Sequence, residues 1–269
     1  MLVFPPVKVN LGLNIIEKRK DDYHSIESVF FPVPWTDALE VVITDHQNIT
    51  FNSTGLPIPG DQANNLIIRA FNLLAKEHRL PGLNFHLHKI LPMGACLGGG
   101  SSNGAYALKL INEVCKLGIS MKELEKMAAE LGSDCPFFIE STPKFVSGRG
   151  EILEPIKINL QHWHMLIVMP PDAVGTAEAY SRISPKVPET SIRQIISLPP
   201  EQWKDQLIND FEATVIQRYP VIGEIKKRMY EQGAAYASMS GSGAAVFGLF
   251  RSEPDLTGWK SNAHWSGVL

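Results

Sequence analysis

The stretch LPMGACLGGGSSNGAYALK, from Leu91 to Lys109, restricts the possible folds of this chain more than any other part of it. It passes from a short strand-like segment through a run of small residues into a helical pattern. Glycine allows positive φ and lets another group approach the backbone closely, because no Cβ stands in the way. The stretch therefore predicts a strand-to-helix turn whose backbone is open to a ligand, with the helix beginning at Ser101–Ser102.

The start of such a helix favours an anion. Its first N–H groups have no partner within the helix, and the helix dipole places partial positive charge there. The hydroxyls of Ser101 and Ser102 can cap the helix or donate to a phosphate. This is not a Walker A loop, because no lysine follows Gly99 or Gly100, and the G-x-G-x-x-G spacing of dinucleotide sites is absent. The local sequence favours phosphate binding, with a ligand-free turn as the alternative.

The residues before this turn predict both strands and helices. VKVNLGLNII and IESVFFPV are alternating or β-branched segments, which favour strands. The apolar stripe of NLIIRAFNLLAKEH indicates a helix, and NFHLHKI alternates again as a strand does. The helix after the turn is expected to stop at Gly118.

A further helix is predicted in KELEKMAAELG, where Ser120 and Glu123 have the spacing of a capping box. CPFFIE is interpreted as a short buried strand, and WHMLIVMP as a strand that opens the second half of the chain.

The second half continues with FEATVIQRYPVIGEIKKRMYEQG, which is helical in pattern on both sides of Pro220. AAYASMSGSGAAVFGLF reads as two strands joined by Gly-Ser-Gly. The order of elements favours an α+β fold in two halves rather than a doubly wound sheet. The predicted domains are residues 1–152 and 153–269.

Charge and cysteine content narrow the class of ligand. The formal net charge of −3 gives no basic excess for nucleic acid or an anionic membrane, so a small-molecule substrate is expected. Cys96, Cys115 and Cys135 show no pairing pattern and are expected to be reduced thiols of a cytoplasmic protein. His86 and His88 share a strand face, but no third ligand is evident, so no metal site is predicted.

Three further stretches bear on the phosphate site. PPVKVNLGLNI places Lys8 beside Asn10, LGSDCPFF presents Asp134 after a helix, and SMSGSGAAVFGLF supplies a second glycine-serine turn. Taken singly, Lys8 would be a solvated edge lysine and Asp134 a turn residue. The combination in this order is what favours a functional site.

Together, PPVKVNLGL, PMGACLGGGSSNGAYAL and SMSGSGAAVFGLF resemble the three motifs of the GHMP kinase superfamily. The resemblance extends over nearly the whole chain, from Phe4 to about Phe250. It implies an α+β, two-domain architecture with the active site in the cleft between the domains. It also implies ATP-dependent phosphorylation of a small-molecule alcohol, with ATP and Mg²⁺ required, by a monomer or homodimer.

The resemblance also assigns roles by position. Lys8 and Asp134 match the catalytic pair of the family, with Asp134 either accepting the proton of the acceptor hydroxyl or orienting that hydroxyl. The triphosphate of ATP would lie against the glycine loop, Pro92 to Ser102, and Asn65, Lys89, Met93 and Asn103 would line the adenosine pocket. The implied nucleotide-binding residues are Asn65, Lys89, Pro92, Met93, Gly94, Ala95, Cys96, Leu97, Gly98, Gly99, Gly100, Ser101, Ser102 and Asn103.

The segments KRKDDYHSIESVF and LGSDCPFFI narrow the resemblance to kinases of the non-mevalonate isoprenoid pathway, whose acceptor is a cytidine-diphosphate-linked methylerythritol. Tyr23 and His24 match residues that hold its cytosine, and Tyr180 looks like the aromatic residue on the other face of that base. The other implied acceptor-binding residues are Asn10, Gly241, Ser242 and Gly243.

Two alternatives remain open. A homoserine kinase or a mevalonate-route kinase of the same superfamily would have no use for Tyr23 and His24, because neither acceptor carries a nucleobase. A non-catalytic metabolite-binding relative would not need both Lys8 and Asp134. A structural protein would need neither glycine loop.

Cys96 departs from the family pattern, which usually has glycine at this position. A side chain there requires that φ not be positive, or else that the backbone be strained. A tolerated variant is expected, with weaker ATP binding or a differently held loop as alternatives.

Overall fold

The structure is a computed structural model and describes residues 1–45, 48–171, 174–259 and 262–269. The strands are β1 Leu2–Val3, β2 Pro6–Lys18, β3 His24–Thr36, β4 Ala38–Thr44, β5 Ile49–Gly55, β6 Gly82–Lys89, β7 Lys144–Ser147, β8 Ile152–Pro155, β9 His164–Met169, β10 Tyr236–Met239, β11 Val246–Phe250 and β12 Ala263–Val268. The α-helices are α1 Leu66–Leu74, α2 Gly99–Val114, α3 Met121–Leu131, α4 Phe137–Glu140, α5 Thr176–Ser181, α6 Ile192–Ile195, α7 Glu212–Arg218 and α8 Pro220–Glu231.

These elements form two compact units that are not contiguous in sequence. The first consists of residues 1–7, 35–93 and 98–142, and the second of residues 8–34, 94–97 and 143–269. The sequence analysis instead predicts two contiguous domains, divided between residues 152 and 153, and that boundary stays a prediction.

The first unit packs helices against a four-stranded sheet of order β1-β4-β6-β5. In it β4 is antiparallel to β1 and β6, whereas β5 is parallel to β6. Alternation along β6 buries Leu83, Phe85 and Leu87. Helices α1 and α2 meet at Gly104, where a Cβ would lie 2.7 Å from the Cβ of Leu66. A larger residue at position 104 would push these helices apart.

The second unit contains two four-stranded sheets, of order β2-β3-β7-β8 and β10-β11-β9-β12. In the latter sheet every neighbouring pair is antiparallel, and α8 packs on β10 and β11. The buried residues between helix and sheet include Leu166, Ile222, Met229 and Val246. Their apolar side chains give this unit its own core.

Most of the predicted elements are confirmed, among them β2, β3, β9 and the two strands on either side of the Gly-Ser-Gly turn. The predicted capping box is present, because the Ser120 Oγ accepts from the Glu123 N–H and the Glu123 carboxylate accepts from the Ser120 N–H. Pro220 begins α8 directly after α7, as its missing N–H allows.

Three details of the sequence interpretation are wrong. Helix α2 ends at Val114, with Cys115 as its C-cap, before the predicted stop at Gly118. Helix α2 begins at Gly99 rather than at Ser101–Ser102, because Gly98 takes the N-cap position with φ 72°. CPFFIE forms the helical turn α4 rather than a strand. A short apolar run does not distinguish helix from strand, and Pro136, with φ −55°, suits the start of a helix.

Within the described ranges, no helix combines the length and the apolar character needed to cross a bilayer.

Candidate active site

A cavity of about 440 Å³ lies in the first unit beside the start of α2. Four residues that the resemblance assigns to the adenosine subsite, Asn65, Lys89, Met93 and Asn103, all line it. Gly100, from the first turn of α2, lines it as well. The fold thus brings these residues together around one space, although they come from three separate parts of the sequence.

The N-terminus of α2 carries open backbone donors. The first intrahelical bond runs from the Ser102 N–H to the Gly98 carbonyl at 2.8 Å. The N–H groups of the residues just before Ser102 therefore have no acceptor within the helix. A Cβ at Gly100 would meet nothing within 4 Å. Packing therefore does not require glycine at position 100, and the space beside its Cα is open to a ligand.

The two serines of this turn differ in access. Ser102 is fully enclosed, and in the described part of the chain its Oγ has no hydrogen-bond partner. Ser101 is half-buried and hydrogen-bonds with the Cys135 thiol. Of the two predicted hydroxyl donors, Ser101 is therefore the more accessible to a phosphate.

Lys89 is almost wholly buried at the edge of the cavity. Its Nζ donates to the Asp37 carboxylate at 2.5 Å and to the Asn103 Oδ1 at 3.2 Å. Asp37, which has no exposed surface, also accepts from the Asn103 side chain and from the backbone N–H groups of Ile90 and Leu91. Sequence reasoning missed Asp37, because a single aspartate between two strands reads as a turn residue.

Residues 94–97 of the glycine loop belong to the second unit, where Cys96 adopts φ 55°. The Cys96 sulfur lies 3.1 Å from the Ser242 Oγ, and the Ser240 Oγ donates to the Cys96 carbonyl at 3.2 Å. A Cβ at Gly241 would lie 2.8 Å from the Cys96 Cβ. The glycine loop and the second glycine-serine turn are therefore in direct contact at position 96.

Lys8 is a buried residue rather than the solvated edge lysine of the alternative interpretation. Its Nζ donates to the Asn10 Oδ1 at 2.7 Å and lies 4.2 Å from the centre of the Phe30 ring. Asn10 in turn donates from its side chain to the Ser28 Oγ at 2.8 Å. Lys8 and Asn10, predicted from one strand motif, thus form one buried hydrogen-bonded group.

The second glycine-serine turn, residues 240–243, is held by two buried residues that sequence reasoning missed. The Asn209 Nδ2 donates to the carbonyls of Met239 and Gly241, each at 2.8 Å. One oxygen of Glu212 accepts from the Met239 N–H at 2.7 Å. NDFE before a helix reads as an ordinary N-cap, and it gives no sign that its side chains reach a distant turn.

The predicted cytosine-binding residues lie in the second unit. The His24 ring stacks on Tyr180 with centroids 4.9 Å apart, and Tyr180 meets Phe211 edge to face at 4.8 Å. Tyr23 is largely exposed, and the Arg149 guanidinium lies over its ring at 4.8 Å. The structure thus brings His24 and Tyr180 together directly, at a spacing that leaves no room for a base between those two rings.

Asp134 lies in the first unit, half-buried in the turn between α3 and α4. Next to it, burial raises the pKa of the Cys135 thiol to about 11, and the charge of Asp134 acts in the same direction. Cys135 is therefore a neutral thiol at neutral pH and unsuited to act as a nucleophile.

No metal centre is evident in the residues that the structure describes. No group of three or more His, Cys, Asp or Glu side chains there is arranged to hold a metal ion. His86 and His88 both hydrogen-bond to the Thr54 hydroxyl, at 3.1 Å and 2.9 Å.

Comparisons with known proteins bear on the fold and the family of this chain. The family model "GHMP kinases N terminal domain" matches residues 65–141, and "GHMP kinases C terminal" matches residues 194–257. A crystal structure of 4-(cytidine 5'-diphospho)-2C-methyl-D-erythritol kinase is similar with a TM-score of 0.85 and 28% identity, covering 100% of this chain and 98% of that one. The predicted two-domain α+β GHMP kinase fold is confirmed.

Curated relatives are similar over nearly their full length. The chain is 49% identical to the 4-diphosphocytidyl-2-C-methyl-D-erythritol kinase of Parabacteroides distasonis, over 93% of this chain and 92% of that protein. It is 48% identical to the kinase of the same name from Bacteroides thetaiotaomicron, over 97% of each chain. The chain therefore belongs to the GHMP kinases and, within them, to the family of the 4-diphosphocytidyl-2-C-methyl-D-erythritol kinases.

Proposed function

We propose that this protein transfers the γ-phosphoryl group of ATP to the 2-hydroxyl of 4-diphosphocytidyl-2-C-methyl-D-erythritol, a step of the non-mevalonate isoprenoid pathway. The observation that carries the proposal is the 49% identity, over nearly full length, to a kinase of that name. The cavity beside α2, lined by Asn65, Lys89 and Asn103, supports ATP as the donor.

Phosphoryl transfer to an alcohol needs in-line positioning of the reactants and stabilisation of spread negative charge. Asp134 accepts the proton of the acceptor hydroxyl or orients that hydroxyl. Lys8 stabilises charge on the moving phosphoryl group. Its burial supports this role, because a lysine enclosed with Asn10 and Phe30 has few orientations available to its ammonium group.

The phosphates of ATP lie against the N-terminus of α2 in this proposal. Backbone N–H groups of Gly99 and Gly100 donate to them, and the helix dipole favours their charge. Mg²⁺ enters as part of the donor substrate, held mainly by phosphate oxygens. Proteins commonly bind this ion through one or two carboxylates plus substrate phosphates rather than through a dedicated cage of ligands.

On the acceptor side, we assign cytosine recognition to Tyr23 and His24, with Tyr180 stacked directly on the His24 ring and holding it in place. An aromatic face and a hydrogen-bonding edge are what a nucleobase requires, and neither homoserine nor mevalonate presents a base. The alternatives of a homoserine kinase or a mevalonate-route kinase are accordingly not favoured. A non-catalytic relative is disfavoured by the presence of both Lys8 and Asp134.

The experiment is a coupled assay of ADP release from ATP and Mg²⁺ with three acceptors in parallel. We expect turnover with 4-diphosphocytidyl-2-C-methyl-D-erythritol and background rates with mevalonate and homoserine. Faster turnover with either of the latter would favour that kinase activity instead. No turnover with any alcohol, together with tight binding of a cytidine nucleotide, would favour a non-catalytic binding protein.

We also propose a cytoplasmic location, where ATP is available, and a monomer or homodimer as the functional state. Cell fractionation with an antibody to the chain tests the first. Light scattering of the purified protein tests the second, and a mass larger than two chains would contradict it.

A further inference from the structure

We propose that Asp37 is a positioning residue of the nucleotide pocket, which fixes the side chains of Lys89 and Asn103 and the backbone at the entrance to the glycine loop. The proposal rests on the proposed function in one respect, namely that the cavity beside α2 takes an adenine nucleotide. It adds a residue that no motif assigns and that does not itself line the cavity.

The contacts of Asp37 divide between its two oxygens. Oδ1 accepts from the backbone N–H groups of Ile90 and Leu91, at 2.7 Å and 2.8 Å. Oδ2 accepts from the Lys89 Nζ at 2.5 Å and from the Asn103 Nδ2 at 3.0 Å. One carboxylate thus hydrogen-bonds to the end of β6, to the start of the glycine loop and to helix α2.

These contacts leave little freedom to the two side chains that line the cavity. Lys89 also donates to the Asn103 Oδ1 at 3.2 Å, so the three residues form a closed triangle. An ammonium group has three donors. Two of them are used within the triangle, and within the described residues Lys89 has no other side-chain partner. The third donor is available to an acceptor atom in the cavity.

Charge gives a second reason for an aspartate at this position. A Cβ at Gly99 would lie 3.4 Å from the Lys89 Nζ, so the ammonium group lies beneath the N-terminus of α2. The helix dipole makes that end partially positive, which disfavours a lysine there. Asp37 supplies the compensating negative charge and keeps Lys89 in place. Without it, two positive groups would face each other in a buried setting.

The test is Asp37→Asn, which keeps the shape of the side chain. The amide oxygen still accepts from Ile90 and Leu91, but the amide nitrogen is a donor where Lys89 and Asn103 also donate. Both donors therefore lose their acceptor at position 37, and both side chains must shift. We expect the dissociation constant for ADP to rise at least about 10-fold. Losses of this size are typical at metal sites when a residue that orients a ligating side chain is removed. The constant is measured by calorimetry without acceptor. The KM for the acceptor should stay within about twofold.

A control separates positioning from general destabilisation. Leu124→Ala removes a buried side chain of α3 in the same unit, away from the cavity lining, and should lower the melting temperature while leaving the dissociation constant for ADP unchanged. If Leu124→Ala raised that constant as much as Asp37→Asn does, the effect would be structural and the proposal would be overturned.

A double-mutant cycle tests whether Asp37 acts through Lys89. In a Lys89→Met background the change Asp37→Asn should cost less than about threefold in ADP affinity. Lys89 is then gone, and the Asn103 oxygen that it occupied can turn to accept from the amide at position 37. This double variant also lacks the unpaired buried ammonium, so it remains usable if Asp37→Asn alone does not fold. A double variant, or an Asp37→Asn protein, that bound ADP as tightly as the wild type would overturn the proposal. Failure of the wild type to bind any adenine nucleotide would instead refute the proposed function.

Discussion

His24 and Tyr180 stack on each other with ring centroids 4.9 Å apart and an angle of 27° between the ring planes. They are distant in sequence, since His24 begins β3 and Tyr180 lies in α5. Tyr180 is held in turn by an edge-to-face contact with the Phe211 ring. Tyr180 therefore supports the His24 ring, in addition to any contact that it makes with the acceptor.

Tyr180→Ala tests this support. Removing the ring takes away the support of the His24 ring, which we assign to cytosine recognition, and base–aromatic stacking is worth roughly 1–3 kcal/mol per base. We expect the KM for the acceptor to rise by about 10-fold or more while the KM for ATP changes less than about twofold. Steady-state kinetics with each substrate varied in turn measure both.

The matched control is Tyr180→Phe, which keeps the ring and removes only the hydroxyl. It should retain the wild-type KM for the acceptor within about threefold. Equal increases in both Michaelis constants for Tyr180→Ala would argue against a role specific to the acceptor.

Asp134→Asn is the variant expected to damage the chemical step most. Loss of a group that accepts or orients the reacting proton lowers the rate by roughly 10²- to 10⁴-fold. The KM for ATP should stay within a few-fold of the wild type. The measurement is kcat from the coupled ADP-release assay at saturating substrates.

Glu130→Gln is the control for Asp134, because it removes an exposed carboxylate near the end of α3. It should leave kcat unchanged. A fully active Asp134→Asn enzyme would exclude both the base and the orienting role.

Cys96 provides a test of backbone strain in the glycine loop. Its φ of 55° lies in the left-handed region, which costs a residue with a Cβ roughly 1–2 kcal/mol and glycine little. We expect Cys96→Gly to raise the free energy of unfolding by about 1 kcal/mol and to leave the KM for ATP within about twofold. Chemical denaturation and steady-state kinetics give the two values.

Cys96→Ala distinguishes strain from the contact with Ser242. Alanine keeps the strained backbone and loses the 3.1 Å contact between the thiol and the Ser242 Oγ, so it should not stabilise the protein. If alanine and glycine stabilised it equally, strain at position 96 would not be the cause.

Much of the fold was predictable because the signals are local. The apolar stripe of α1, the capping box of α3 and the alternating sequence of β2 each depend on neighbouring residues, and the three elements that they predict are confirmed. α4 was mistaken for a strand because its signal is a short apolar run, for which the choice between helix and strand depends on packing that the sequence does not state.

Residues of the candidate site were predictable only where sequence motifs contain them. The motifs and the family resemblance identified Asn65, Lys89 and Asn103, and these residues line one cavity. Asp37 and Asn209 were missed because each acts through hydrogen bonds to residues far along the chain. A buried side chain that fixes a distant turn leaves no periodic or spacing signal of its own.

The pKa of Cys135 predicts a loss of stability in alkaline solution. Burial raises it from an ordinary value of 9.0 to about 11 in the folded protein. As pH rises, the unfolded chain therefore ionises first, so the stability due to this thiol is complete below pH 9 and is lost between about pH 9 and pH 11. At 1.36 kcal/mol per pKa unit, the loss is on the order of 3 kcal/mol.

The measurement is the free energy of unfolding by urea from pH 8 to pH 11, for the wild type and Cys135→Ala. The wild-type value should fall more steeply, so the difference between the two proteins should shrink over this range. Burial also raises the pKa values of Tyr230 and Tyr236, but both proteins contain these tyrosines, so their effect cancels in the comparison. Cys115→Ala is the control, since that thiol is only half-buried and should change the slope less. A difference between wild type and Cys135→Ala that stayed constant from pH 8 to pH 11 would show that Cys135 does not cause the alkaline loss.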